Sequence, residues 1–354
     1  MSVVRLVIGE FGGALAYYNL INRHCVDMLP RLVLRALLLA VLLLSSFGGH
    51  AGAASPRVGF LAPGTPESSA PVLAGLRQGL RENGYVEGTD ITIDARYAYG
   101  KFDLLPDLAR ELLGLPVDVL VTYVTDASIA ARKSSKTIPI VMVGVSDPVA
   151  SGLVVSLSRP GGNVTGTSGV FAEGAGRRLQ FLKETIPGTM RVAVLWNPEN
   201  RVFQSQVLRE TEAAARTLGL QLRLFEAHDA ASIETAFVAI AKYDIAALNV
   251  LPDPIFAVHH ARIAELALKA RLPSVSANSA FAEAGGLMAY GPSIPQLGRD
   301  AAKYVAKLIR GANAADLPIE QPTKFELVIN MKTAKQIGIT VPQSLMVSAD
   351  RLLE

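Results

Sequence analysis

The stretch RVGFLAPGTPESSAPVLAGLRQGLRENG, residues 57–84, decides the fold. Its first six residues, RVGFLA, form a short apolar run that predicts a buried β-strand over 57–62. The segment APGTPESS is interpreted as the loop that leaves this strand. From Val72 to Leu80 the apolar residues recur at helical spacing, and Asn83-Gly84 is a helix-ending signal. Strand, loop and helix in this order are the βα unit of parallel sheets.

The same unit recurs along the chain and restarts after the Gly- and Pro-rich segment RPGGNVTG, 159–166. Segments of helical periodicity separate the strands, among them 201–218, 255–269 and 296–310. Further strands are predicted at 91–97, 117–123, 138–145, 190–196, 220–227, 244–251 and 272–276. The pattern predicts an α/β fold of two Rossmann-like lobes with parallel sheets.

Three extended segments lie between the two halves, at about 163–168, 287–291 and 323–329. They predict two lobes that are joined by three hinge crossovers. We expect lobe 1 to contain 57–165 and 292–322, and lobe 2 to contain 166–291 and 323–354. Gly166, Gly169 and Gly291 are either hinge aids or ordinary turn residues. Ligands of open α/β sheets bind beyond the carboxyl ends of the strands, so a cleft between the lobes is the expected site.

The segment MLPRLVLRALLLAVLLLSSFGGHAGAA, 28–54, has the plan of a secretory signal peptide: arginines, an apolar core and small residues at its end. Cleavage is expected near Ala53 or Ala54, which predicts a periplasmic protein. The alternative is an uncleaved membrane anchor, which the short apolar run disfavours. Signal peptides begin close to the chain start, so residues 1–27 are interpreted as a non-native extension and Met28 as the true start.

Charge and composition exclude several functions. The chain carries 34 Lys and Arg against 31 Asp and Glu, and its basic residues are dispersed, which argues against a nucleic-acid partner. The only cysteine, Cys25, precedes Met28, so a disulfide or a lipid anchor at the cleavage point is not expected. His259 and His260 are adjacent on a predicted helix, cannot chelate one ion together and are assigned to a solvated face. We expect no metal, no cofactor and no catalysis, because no catalytic motif is present.

Three long runs closely resemble the substrate-binding proteins of ABC transporters, in the group commonly assigned to tryptophan and tyrosine uptake. They are VDVLVTYVTDASIAARKSSKTIPIVMVGVSDPVASGLVVSLSRPGGNVTGTS (117–168), FAEAGGLMAYGPS (281–293) and LPIEQPTKFELVINMKTAKQIGITVPQSL (317–345). The resemblance extends from Arg57 to the end of the chain. It implies a type I periplasmic-binding-protein fold and delivery of a small solute to an inner-membrane permease with its ATPase. It leaves the ligand open, with aromatic amino acids or related carboxylates as the default.

Candidate ligand-binding residues follow predicted strands in lobe 1. The hydroxyls and backbone N–H groups of these loops can face the cleft, although Thr65, Thr125 and Asp147 are equally suited to cap a helix or a turn. A carboxylate at Asp147 could instead pair with a ligand ammonium. The lobe 1 candidates are Pro63, Gly64, Thr65, Thr122, Tyr123, Thr125, Ser146 and Asp147.

Lobe 2 and the crossovers supply the remaining candidates, each at a strand exit or on a crossover. Any one of them can instead cap a helix or brace a hinge. They are Thr167, Ser168, Asn197, Pro252, Asp253, Asn278 and Tyr290. Trp196, the only tryptophan, is assigned to core packing in preference to stacking on the ligand.

The favoured function is a monomeric solute receptor of an ABC importer, which binds its ligand in the cleft by hinge closure. An exported sensor that presents its bound form to a membrane receptor is the alternative. The sequence cannot separate the two, because both partners would contact the closed lobes from outside. A Rossmann-type enzyme is disfavoured by the missing acid, base and cofactor signatures.

Overall fold

The computed structural model describes residues 55–188 and 190–354. The predicted extension at 1–27 and the predicted signal peptide at 28–54 lie outside the described residues. In the described part the chain forms two β-sheets covered by helices. No helix in that part is both long and apolar enough to cross a membrane.

The first sheet contains five strands that all run parallel. They are β1 (Arg57–Ala62), β2 (Thr92–Tyr97), β3 (Val119–Tyr123), β4 (Ile140–Val145) and β5 (Val164–Ser168). Their order is β2-β1-β3-β4-β5. Every residue of β4 is buried, as expected for a strand between two helical layers. The strand order reverses between β1 and β3, which is where ligand crevices form in such sheets.

The second sheet contains seven strands in the order β12-β11-β10-β9-β8-β6-β7. They are β6 (Arg191–Trp196), β7 (Gln221–Glu226), β8 (Ala247–Val250), β9 (Ser274–Ser276), β10 (Met288–Pro292), β11 (Phe325–Asn330) and β12 (Arg351–Leu353). The predicted two-lobed α/β fold is confirmed, with one departure: β11 runs antiparallel to β10. The chain reaches β11 from the other lobe, so no βαβ unit imposes its direction.

Helices cover both sheets. They are α1 (Pro66–Glu82), α2 (Leu105–Leu113), α3 (Val124–Ser134), α4 (Ala175–Thr185), α5 (Arg201–Leu218), α6 (Ala230–Ile240), α7 (Pro254–Val258), α8 (His260–Lys269), α9 (Ser279–Glu283), α10 (Ile294–Ile309), α11 (Met331–Ile337) and α12 (Gln343–Ser348), with 3₁₀ turns at Phe102–Leu104 and Ala314–Asp316. Helix α1 begins before the predicted Val72, because Thr65 caps it and Pro66 occupies its first turn. The predicted helix 255–269 is two helices that meet at His259.

Helices α1 and α10 pack backbone against backbone in the first lobe. A Cβ atom on Gly75 would overlap the carbonyl oxygen of Pro295, and one on Gly298 would overlap that of Val72. Glycine is therefore required at both positions, because no other residue allows so close an approach. This contact fixes α10 on the first lobe, although β10, which precedes it, belongs to the second sheet.

The first and third crossovers run side by side. Strand β5 stays paired with β4 as far as Ser168, three residues beyond the predicted lobe limit at 165. The amide of Ser168 donates to the carbonyl of Glu320 at 2.8 Å, which joins β5 to the chain that leads to β11. Gly166 lies inside β5 with φ 127°, and a Cβ there would overlap the carbonyl of Met142. Glycine at position 166 is therefore required for the close approach of β5 to β4.

A buried cation joins the first crossover to the second. Arg178 on α4 is fully buried, and its guanidinium donates to the carbonyl of Phe171 and to the carbonyl of Tyr290, each at 3.2 Å. Burial lowers the pKa of Arg178 to about 10, which leaves the side chain charged at neutral pH. Phe171 follows β5 and Tyr290 lies on β10, so one side chain is bonded to both segments.

The α1–α10 contact gives a stability prediction. Gly298→Ala should lower the free energy of unfolding by about 2–4 kcal/mol, because the added methyl group forces the two helices apart. Urea denaturation followed by circular dichroism measures the loss.

Gly176→Ala on α4 is the matched control. Its Cβ would lie 3.5 Å from that of Ala214, an ordinary contact, so helix propensity alone should leave the stability unchanged or raise it by up to about 1 kcal/mol. Equal stability of the two variants would contradict the role of Gly298 in close packing.

Candidate functional site

A cleft of about 700 Å³, part of it open to solvent, lies between loops from both sheets. Its lobe 1 wall contains Pro63 and Gly64 after β1 and the segment 123–126 after β3. Its lobe 2 wall contains Pro252 and Asp253 after β8 and the segment 276–278 at the end of β9. The carboxyl ends of parallel strands thus face one another across the space, as expected for a ligand site of this fold.

The first turn of α1 presents a buried hydroxyl to the cleft. Thr65 and Ser68 form a capping box, in which the Thr65 hydroxyl accepts from the Ser68 amide at 3.2 Å. This cap holds Ser69 against the cleft, where it is 1% exposed and its Oγ has no hydrogen-bond partner among the described residues. An unpartnered buried hydroxyl is costly, so a ligand that bonds to it would recover the lost energy.

The corner between β3 and α3 has strained backbone. Val124 has a φ of 60°, in the left-handed region that a β-branched residue rarely adopts. Strain of this kind costs about 1–3 kcal/mol and is concentrated at binding sites. The turn directs Tyr123, Thr125 and Asp126 to the cleft wall.

Asp126 is a largely buried carboxylate in the first turn of α3. Burial raises its pKa from 3.8 to about 6, while a hydrogen bond to its own backbone opposes the rise. No ion pair involves Asp126 in the described part of the chain. Its charge is therefore available to a ligand.

Asp253, on the opposite wall, is held by four N–H donors. Its Oδ1 accepts from Asn197 Nδ2 at 3.3 Å and from the Ile255 amide at 2.9 Å. Its Oδ2 accepts from Asn200 Nδ2 at 2.9 Å and from Gln204 Nε2 at 3.3 Å. Burial nevertheless raises its pKa to about 6, and the negative charge of Asp126 adds to the rise. The two carboxylates thus line the same cleft, one from each lobe.

The rest of the wall is mostly apolar and carries no positive charge. Phe171 and Phe203 meet edge to face, with ring centroids 6.0 Å apart. His260 also faces the cleft, packs against Phe281 and is 7% exposed. Burial lowers its pKa to about 4, so it is neutral at pH 7. The predicted solvated position of His260 is wrong, because the break at His259 turns it inward.

Seven predicted binding residues lie on the cleft wall. They are Pro63, Gly64, Tyr123, Thr125, Pro252, Asp253 and Asn278. Asn278 also caps α9 by accepting from the Ala280 amide at 3.0 Å. Ser146 and Asp147 line an adjoining pocket with Arg209, and Asp147 accepts from the amides of Val149 and Ala150. Asp147 therefore caps a turn, the alternative that its position before Pro148 left open.

The other predicted residues are not among those that line the cleft. Thr65 caps α1, and the buried hydroxyl of Thr122 bonds to Ser128 Oγ at 2.8 Å. Asn197 orients Asp253 from behind. The remaining three occupy the crossovers: Thr167 and Ser168 lie in β5, and Tyr290 stacks on Phe325 at 5.5 Å. Trp196 packs against the core, as predicted.

Several residues that line the cleft were not predicted from the sequence. Ser69 was assigned to a loop, and Asn200 and Phe203 carried no signal beyond their place at the start of a helix. Asp126 was not among the predicted binding residues, although its position one residue after Thr125 could have marked it. No group of three or more His, Cys, Asp or Glu in the described residues is arranged to hold a metal ion.

The chain is similar in sequence to known proteins. The model of the ABC transporter substrate binding protein family matches residues 65–353. Among curated proteins, the Tyrosine-binding protein of Clostridioides difficile strain R20291 is 26% identical over 267 residues, which is 75% of this chain and 76% of that protein.

Solved structures share the fold. A conserved domain protein from Vibrio cholerae has a TM-score of 0.79 at 28% identity, and the match covers 84% of this chain and all of the other. The ABC domain from Streptococcus pneumoniae in complex with L-Trp has a TM-score of 0.78 at 24% identity, and the match covers 85% of this chain and all of the other. These structures agree with the two-lobed architecture.

The buried carboxylate of Asp126 gives a pH prediction for the ligand-free protein. Its pKa rises from 3.8 to about 6 on folding, so the folded state holds the proton more tightly. Ionisation of Asp126 should therefore destabilise wild type relative to Asp126→Asn as the pH rises from about 4 to 6, by on the order of 1 kcal/mol.

Thermal unfolding at a series of pH values measures the difference between the two proteins. Asp103→Asn, at an exposed position, is the control and should show no such trend. A constant difference between wild type and Asp126→Asn from pH 4 to pH 7 would contradict the raised pKa.

Proposed function

The chain belongs to the ABC transporter substrate binding proteins, and we propose that it is the solute receptor of an importer. It binds a small ligand in the cleft and presents the closed, loaded form to an inner-membrane permease with its ATPase. Members of this family are binding components and not enzymes, which agrees with the missing catalytic motifs. The receptor acts as a monomer, in the periplasm, after removal of the segment 28–54.

The observation that carries this proposal is a pair of buried polar atoms that have no hydrogen-bond partner in the part of the chain that the structure describes. Ser69 Oγ belongs to the lobe 1 wall and Asn200 Oδ1 to the lobe 2 wall, and their residues are 1% and 4% exposed. Buried polar atoms are almost always hydrogen-bonded in native proteins. Two unpartnered atoms on opposite walls of one cleft therefore point to a ligand that bonds to both lobes.

The composition of the wall favours an aromatic amino acid. The rings of Phe171 and Phe203 offer a flat apolar surface, and the polar groups of Ser69, Asp126 and Asp253 offer partners for a charged end. The Clostridioides difficile relative is named for tyrosine binding, which agrees with this composition. A ligand with a ring at one end and charged groups at the other would satisfy both parts of the wall.

Hinge closure is the motion that such a ligand would stabilise. A ligand with contacts to both lobes favours the state in which the lobes approach, by as much as its contacts improve there. The three crossovers supply the connection about which the lobes can rotate, because a few backbone angles suffice for this motion. Ligand-dependent compaction in small-angle scattering is the expected signature.

A solute screen tests the proposal. The purified protein, residues 55–354, should gain thermal stability with at least one of the aromatic amino acids, and calorimetry should then give the dissociation constant. No stabilisation by any amino acid or aromatic acid in the screen would contradict the receptor role.

A serine pair locates the binding. Ser69→Ala should weaken binding of the stabilising ligand about 5- to 10-fold without lowering the unfolding temperature of the ligand-free protein, because Ser69 Oγ has no partner within residues 55–188 and 190–354. Ser128→Ala should lower the unfolding temperature and leave the ligand affinity unchanged, because Ser128 is buried and bonds to Thr122 away from the cleft. Equal ligand affinity of the two variants would place the ligand elsewhere.

A further inference from the structure

We propose that Asp147 of lobe 1 and Arg209 of lobe 2 form an ionic latch, an ion pair that forms when the lobes close and breaks when they open. The inference rests on the proposed receptor function, because it concerns the closure that this function requires. Neither residue lines the cleft itself. The latch therefore regulates closure without contacting the ligand, and dissolved salt weakens it.

The first step is the position of the two residues. They line a pocket of about 670 Å³, part of it open to solvent, which adjoins the cleft and shares Thr125 and Phe203 with it. Asp147 follows β4 in lobe 1, and Arg209 lies on α5 in lobe 2. Arg209 is six residues after Phe203, which is about 9 Å along the axis of α5. The acid and the base thus belong to opposite lobes, at the outer edge of the cleft.

The second step is the charge of the pocket wall. Asp147 and Arg209 are the charged residues among those that line the pocket, one of each sign. Within residues 55–188 and 190–354 they are not paired with each other. The guanidinium of Arg209 lies 3.8 Å from the carboxylate of the neighbouring Glu210, and the Arg209 side chain is 71% exposed. So long and exposed a contact contributes little, which leaves the cation available to a second acid.

The third step is the acceptor capacity that lobe 1 offers to a guanidinium. Asp147 Oδ1 accepts from the amides of Val149 and Ala150 at 3.0 and 2.9 Å, whereas its Oδ2 accepts from no donor in the described part of the chain. The preceding hydroxyl, Ser146 Oγ, belongs to the same pocket, is buried and also has no partner among the described residues. A guanidinium carries five N–H donors in a fixed fork, so Arg209 can bond to both of these oxygens together.

Closure makes use of this arrangement. Hinge rotation brings the loops of opposite lobes together, so it shortens the distance between the Asp147 carboxylate and the Arg209 guanidinium. The ion pair that forms is present only in the closed state, and it shifts the equilibrium towards that state. At so exposed a position the shift is expected to be about 3- to 5-fold, and it should disappear at high salt.

Cysteine cross-linking tests whether the two positions meet. Cys25 is the only cysteine of the chain, so residues 55–354 offer no competing thiol. The variant Asp147→Cys/Arg209→Cys is treated with a short bifunctional maleimide, with and without the solute that stabilises the protein in the screen. Cross-linking should be at least about 3-fold faster with the solute, because the solute populates the closed state. In the control variant Asp147→Cys/Arg216→Cys the second thiol lies about 10 Å farther along α5, and the solute should not accelerate the reaction.

A double-mutant cycle tests the ion pair itself. Arg209→Gln should weaken binding of the solute about 3- to 5-fold at low salt, and so should Asp147→Asn, whose amide oxygen can still accept from the turn. The double variant should bind no more weakly than either single variant, because both lose the same interaction. At about 1 M salt the wild type should lose its advantage over all three. Arg216→Gln removes the same charge from an exposed position of the same helix and should leave the affinity unchanged.

The outcomes separate the two proposals. An unchanged affinity of Arg209→Gln, or additive effects of the two single changes, would overturn the latch and leave the receptor function standing. Cross-linking between positions 147 and 209 that the bound solute does not accelerate would do the same. Absence of any bound solute in the whole screen would instead overturn the receptor function, and the latch with it.

Discussion

The close contact of α1 with α10 is the constraint on which the rest of the structure depends. The chain leaves the second sheet after β10, and the glycine-mediated approach of these helices holds α10 on the first lobe. The same contact brings the amino-terminal ends of both helices to the cleft, so that Ser69 and Ile294 line one wall. The architecture of the protein and the shape of its candidate site therefore have a common physical origin.

The cleft wall has an aromatic part and a charged part, and removal of water costs them different amounts of free energy. The aromatic rings lose little when water leaves, whereas Asp126 and Asp253 lose hydration that the protein only partly replaces. Asp253 receives four hydrogen bonds from its own lobe, while Asp126 receives far less support. The ionisation of Asp253 is thus supported by its own lobe, whereas that of Asp126 depends more strongly on what occupies the cleft.

Much of the fold could be predicted from sequence, because buried parallel strands are apolar runs and βα units repeat. The antiparallel β11 could not, since the chain reaches it from the other lobe and no βαβ unit imposes its direction. At the site, Pro63, Tyr123 and Asp253 could be predicted as binding residues, because each lies at the exit of a predicted strand. The position of Asp126 and Asp253 on the walls of one cleft could not be predicted, because sequence spacing carries no information on which loops face each other.

Arg178 has a mechanical consequence beyond its hydrogen bonds. A side chain that is bonded to the carbonyls of Phe171 and Tyr290 allows neither segment to twist without the other. Any rotation of the lobes about these segments would therefore have fewer independent modes than two separate connections would permit. Under the proposed receptor function, such a coupled motion would present a membrane partner with one well-defined surface in each state.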